Sequence, residues 1–133
     1  MKKGQISTEY LIIVGFITFV IISIMGVAFI YTTSIKDRIK MNQAENFVNK
    51  IISSAESIFF AGEPSKVEIV AYVPEGVTNI TFYNKEVILY IETNSGVNVR
   101  SFPSRVKIVG NEISSSGVKK LILKAQDDKV TIT

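Results

Sequence analysis

The stretch YLIIVGFITFVIISIMGVAFIY, residues 10–31, decides the architecture. It carries no charged side chain, and as a helix it rises about 30 Å, the thickness of a bilayer's hydrocarbon core. An ordinary secretory signal has a shorter apolar region, roughly 7–15 residues, followed by a small-residue cleavage site. Here the only small-x-small step, Gly26-Val27-Ala28, lies inside the run. The segment therefore reads as a retained membrane-spanning helix. Lys2 and Lys3 precede it and favour leaving that end in the cytoplasm.

Helix signals continue past Tyr31 with a different pattern. Ile35, Ile39, Phe47, Val48, Ile51, Ile52, Ala55, Ile58 and Phe59 recur at helical steps, the stripe of an amphipathic helix facing a core or a neighbour. Lys36, Asp37, Arg38, Lys40, Glu45, Lys50 and Glu56 occupy other faces. No proline interrupts the chain before Pro64, and Ala61-Gly62-Glu63-Pro64 is a stop signal. The economical reading is one helix from Ser7 to Ala61, about 80 Å long at 1.5 Å per residue. Its alternative is a break near Thr32-Thr33-Ser34.

Beyond Pro64 the period changes from helical to alternating. Val67, Ile69, Ala71 and Val73 alternate along one strand, and Pro74-Glu75-Gly76 turns. Ile80 to Tyr83 and Val87 to Ile91 flank Asn84-Lys85 as a hairpin. Short β-rich runs follow around Val97, Arg105 to Val109, Leu121 and Val130, with Asn94-Ser95-Gly96 and Asp127-Asp128 as turns. The fold class is therefore α+β: a long N-terminal helix, then an antiparallel sheet or small β-sandwich. Tyr72, Phe82, Tyr83, Tyr90 and Phe102 read as core or sheet-face residues.

Composition narrows function. The chain has no Cys and no His, so disulfides, thiolate metal sites and most nucleophile–base pairs have no side chains to build them. Two adjacent acids, Asp127 and Asp128, do not make a cation's coordination shell. The expectation is a protein with no catalytic residues, no metal and no cofactor. The basic residues are scattered, and a nucleic-acid surface needs a concentrated field, so nucleic acid is not an expected partner.

The opening Lys2-Lys3-Gly4-Gln5-Ile6-Ser7-Thr8-Glu9-Tyr10-Leu11 resembles the class III signal peptide of archaeal type IV pilins. That pattern has a basic leader, a small residue before the cut, Gln at the new N-terminus, and Ser and Glu third and fifth in the mature chain. Counted from Gln5, Ser7 is third and Glu9 fifth. The resemblance covers roughly the first quarter of the chain and implies cleavage after Gly4 by a membrane aspartyl prepilin peptidase. Lys2, Lys3, Gly4, Gln5, Ser7 and Glu9 are then the processing residues. The expected organisation is a cleaved leader at 1–4 and a long helix at 5–61. That helix is transmembrane and filament-forming over 10–31 and amphipathic over 32–61, and an exposed β domain follows at 62–133. Loss of the leader takes Lys+Arg from 15 to 13 against 12 acidic residues, leaving +1.

The resemblance also implies assembly roles for Gln5 and Glu9. Cleavage creates a cationic α-amino group at Gln5, and a carboxylate at a membrane's edge is costly unless paired. Glu9 of one subunit would meet the N-terminus of a neighbour and set the axial stagger. The blander role for Glu9 is a first-turn acid favoured by the helix dipole. Ser7 either caps the helix or is read by the peptidase. Gly15, Thr18, Ser23 and Gly26 are small enough to let helices approach closely, or are ordinary membrane-helix composition.

Asn79-Ile80-Thr81 is the chain's sole Asn-x-Ser/Thr sequon, making Asn79 with Thr81 a glycosylation candidate in an exported protein. The expected function is a pilin: a membrane precursor, then a subunit of a cell-surface filament supporting adhesion. Its partners would be copies of itself, the prepilin peptidase, the pilus assembly machinery and, before assembly, the membrane. The alternative is a monomeric, membrane-anchored β domain that binds a ligand outside the cell.

Overall fold

A computed structural model describes the backbone of residues 2–133 and the side chains of residues 7–133. One helix, α1 (Lys2–Ala61), is followed by seven strands. The chain forms two compact units, Met1–Lys36 and Asp37–Thr133. The helix runs without interruption through Thr32, Thr33 and Ser34, so the alternative break is absent. It stops at Gly62, whose φ of +84° is a left-handed conformation that a residue without Cβ adopts freely. The Gly62 N–H donates to the Phe59 carbonyl at 3.1 Å, and Ser65 N–H donates to the Gly62 carbonyl at 3.0 Å, turning the chain into the first strand.

The strands are β1 (Lys66–Val73), β2 (Val77–Tyr83), β3 (Glu86–Thr93), β4 (Gly96–Pro103), β5 (Ile108–Gly110), β6 (Gly117–Gln126) and β7 (Lys129–Ile132). They form a four-stranded sheet in the order β1-β6-β7-β5 and a three-stranded sheet in the order β2-β3-β4. Two-residue turns at Asn84-Lys85, Asn94-Ser95 and Asp127-Asp128 close the hairpins, as the alternation predicts. A mutual backbone pair, Ile80 with Ile113, links β2 to the segment after β5 at 2.9 and 3.1 Å.

One pairing departs from the antiparallel expectation. β5 lies parallel to β7. Parallel neighbours need a crossover rather than a tight turn, and here β6 intervenes in sequence, so local turn chemistry carries no trace of the pairing. Its close approach shows at Gly110, where a Cβ would stand 2.8 Å from the Cβ of Ile132.

The core lies between the second half of α1 and the inner faces of the strands. Ala44, Phe47, Val48, Ile51, Ile52, Ala55 and Ile58 form the buried helical stripe. Val87, Leu89 and Ile91 of β3 face it, all three at 0% exposure, while Glu86 and Glu92 point away. Residues 37–61 belong to the same compact unit as the strands, because their apolar stripe is what the sheets cover. The stripe also begins later than its period suggests. Ile35 and Ile39 remain 54% and 50% exposed, and Phe59 is only partly buried.

Candidate functional site

The residues of interest at the N-terminus sit on α1. The side chains of Lys2, Lys3, Gly4 and Gln5 lie outside those described, so their processing and assembly roles have no geometry here. Ser7 and Glu9 are exposed. Because α1 begins at Lys2, Ser7 stands inside the helix of the full-length chain and not at its N-cap.

From Tyr10 to Tyr31 the helix is apolar on all sides and bare on all sides. Tyr10 is 70% exposed, Phe19 68%, Ile22 63%, Phe29 80% and Tyr31 67%. The most apolar window of residues 7–61 has a mean hydropathy of 2.8 and no buried residue, so the helix is long and apolar enough to cross a membrane. Bare apolar surface on this scale needs lipid or protein against it.

The polar atoms of the run are handled internally. Thr18 Oγ1 donates to the Val14 carbonyl at 2.8 Å and Ser23 Oγ to the Phe19 carbonyl at 2.8 Å. Thr32, Thr33 and Ser34 make the same four-residue back-bond, at 2.9, 3.1 and 3.4 Å. A hydroxyl donor spent on its own helix carries no unpaired hydrogen into an apolar environment. Beyond the adjacent backbone of the helix itself, no atom of the described residues comes within 4 Å of a Cβ placed on Gly15 or Gly26, so both are open to close approach.

No family model, curated protein or solved structure matches the chain.

In the β domain, the sequon is built into the fold. Asn79 is half-buried, its Nδ2 donates to Glu112 Oε2 at 2.9 Å, and its Oδ1 is buried without a partner. The nitrogen that a glycan would take is thus the one holding Glu112. Thr81 is half-buried on β2. Among the polar links between residues 37–61 and the rest of the β domain, two carboxylates accept from backbone N–H groups. Asp37 Oδ2 accepts from the Asn94 backbone N–H at 3.1 Å and from its Nδ2 at 3.0 Å. Glu56 Oε1 accepts from the Arg105 N–H at 3.0 Å. Sequence reading did not single out Glu112, Asp37 or Glu56, since each partner lies more than thirty positions away and no local pattern marks it.

Among the described residues, no group of three or more His, Cys, Asp or Glu side chains is placed to hold a metal ion. A surface cleft of about 360 Å³ beside Gln43, Lys50 and Tyr72 is open to solvent.

Proposed function

We propose that this chain is the structural subunit of an archaeal type IV pilus-like surface filament, made as a membrane precursor and cleaved before Gln5. The observation that carries the reading is the exposed helix of residues 10–31, apolar on every side, preceded by Gly4-Gln5 with Ser7 and Glu9 in pilin spacing. Removed from a bilayer, such a helix avoids water only by packing against copies of itself. The open backbones at Gly15 and Gly26 suit that packing. The β domain then forms the filament's outer layer and serves adhesion or a related surface role.

In this reading Glu9 pairs with the new N-terminus of a neighbour. Glu9→Gln keeps size and hydrogen-bonding capacity and removes the charge. The expected variant is cleaved normally but remains as mature monomer in the membrane, read by electron microscopy for filaments and by N-terminal mass for processing. A helix-dipole role alone is worth only about 0.3–1 kcal/mol, too little to abolish a polymer held by large apolar contacts. Normal filament yield from Glu9→Gln would remove the pairing. A mature start beyond Ala28 would remove the pilin reading altogether.

The monomeric anchor is favoured by one observation, the back-bonded hydroxyls, which offer a neighbouring helix no donor. Sheared cell-surface material separates the two readings: a subunit sediments as filaments and an anchored monomer stays with the membrane.

A further inference from the structure

The two sheets share a core, and their outer faces differ in charge. On the four-stranded sheet, the register between β1 and β6 sets Lys66 opposite Lys124, Val70 opposite Lys120 and Tyr72 opposite Val118. Val70, Tyr72 and Val118 are 54%, 52% and 70% exposed, an apolar end of the outer surface, with Lys66 and Lys124 together at its other end. Lys120 is paired with Glu68 at 2.9 Å. Lys66 and Lys124 are exposed, and among the described residues neither has an ion pair. Like charges directly across a strand pair destabilise it, so this pair of lysines is better served by acids from outside the domain.

The three-stranded sheet presents the complement. Glu86 and Glu92 point outward from β3 at either end of Ile88 and Tyr90. Beside them on β4 stand Val97, opposite Glu92, and Val99, opposite Tyr90, at 61% and 57% exposure. Arg100 alternates to the inner side, where it meets Glu45 at 2.6 Å, so no cation occupies an outward position on β3 or β4.

We infer that the outer face of the β1–β6 pair docks on the outer face of the β3–β4 pair of a second copy of this chain. Val70 and Val118 meet Val99 and Val97, and Lys66 and Lys124, together at the far end of their face, meet Glu86 at the far end of the other. The two faces are different surfaces on one molecule, so the contact is heterologous: a pair of copies keeps one face of each kind free and the contact repeats instead of closing on a dimer. This rests on the filament reading, which brings copies side by side. It adds the surfaces by which the outer layer joins and a charge pattern that rejects the reversed, like-to-like pairing.

The test uses the full-length chain in membranes, where the absence of native Cys gives a clean background. Chains carrying Val118→Cys are co-expressed with chains carrying Val99→Cys and treated with a short bis-maleimide. The expected result is a mixed dimer, with no dimer from either variant alone. Adding Glu86→Lys to the Val99→Cys chain lowers its yield about tenfold, as like charges then face each other. Adding Lys66→Glu and Lys124→Glu to the other chain restores it. Dimers from Val99→Cys alone, or filaments that form with no mixed dimer, would overturn the contact and leave the filament reading standing. Mixed dimers from a chain whose wild type yields no filament would keep the contact and overturn the filament.

Discussion

Ile22 and Ile51 lie on the same helix, yet one is 63% exposed and the other is at 0%. The first belongs to a stretch apolar on every side, the second to a stripe bounded by Asn49, Lys50 and Ser53. A helix with a polar face finds its partner within the chain, and here the sheets cover it. A helix with no polar face has no side to leave in water, so its partner must come from outside: lipid, or another copy. The two halves of α1 are thus the same backbone prepared for two solvents.

The sharpest way to break that comparison is to truncate both isoleucines. Ile51→Ala leaves a cavity at a fully buried site and is expected to destabilise the β domain by about 2–5 kcal/mol. Ile22→Ala should leave the domain's urea midpoint unchanged, because Ile22 is 63% exposed and belongs to the other compact unit. Equal shifts in the two variants, measured on the full chain in detergent, would show that the halves are not independent.

A smaller effect tests the cover itself. Gly110→Ala places a methyl 2.8 Å from the Cβ of Ile132, overpacking the parallel β5–β7 pair. The expected loss is about 1–3 kcal/mol, read from the same unfolding curve, with membrane insertion unaffected. A neutral result would mean that β5 shifts freely and contributes little to covering the helix.

The smallest effect sharpens what kind of force holds helix to sheet. Arg100 and Glu45 pair at 2.6 Å, but the Arg100 side chain is 55% exposed and that of Glu45 24%. Glu45→Gln should cost no more than about 1 kcal/mol, shrinking further in high salt. A loss comparable to that of Ile51→Ala would mean that charge, and not the apolar stripe, fastens the helix to the sheets.

Much of the fold was legible in the sequence because its signals are local. The helix end at Gly62, the turns at Asn84-Lys85 and Asp127-Asp128, and the alternation of Val87, Leu89 and Ile91 all depend on neighbours a few positions away. The candidate processing motif rests on the order and spacing of residues near Glu9 alone. Asn79 was legible only as a sequon. Its bond to Glu112 joins positions 33 apart, and no local pattern encodes such a contact.

By itself, then, the sequence determined the uncharged span of residues 10–31, the amphipathic stripe and the sites of strand and turn. Each follows from side-chain hydropathy read at a helical or strand period. Only the tertiary structure decided that residues 37–61 join the strands in one unit, that β5 lies parallel to β7, and that Lys66, Lys120 and Lys124 share one outer face with Glu68 while Glu86 and Glu92 share the other. Those outcomes depend on which strands become neighbours. Strand neighbours are chosen by the packing of the whole core around Ile51, through residues that lie far apart along the chain.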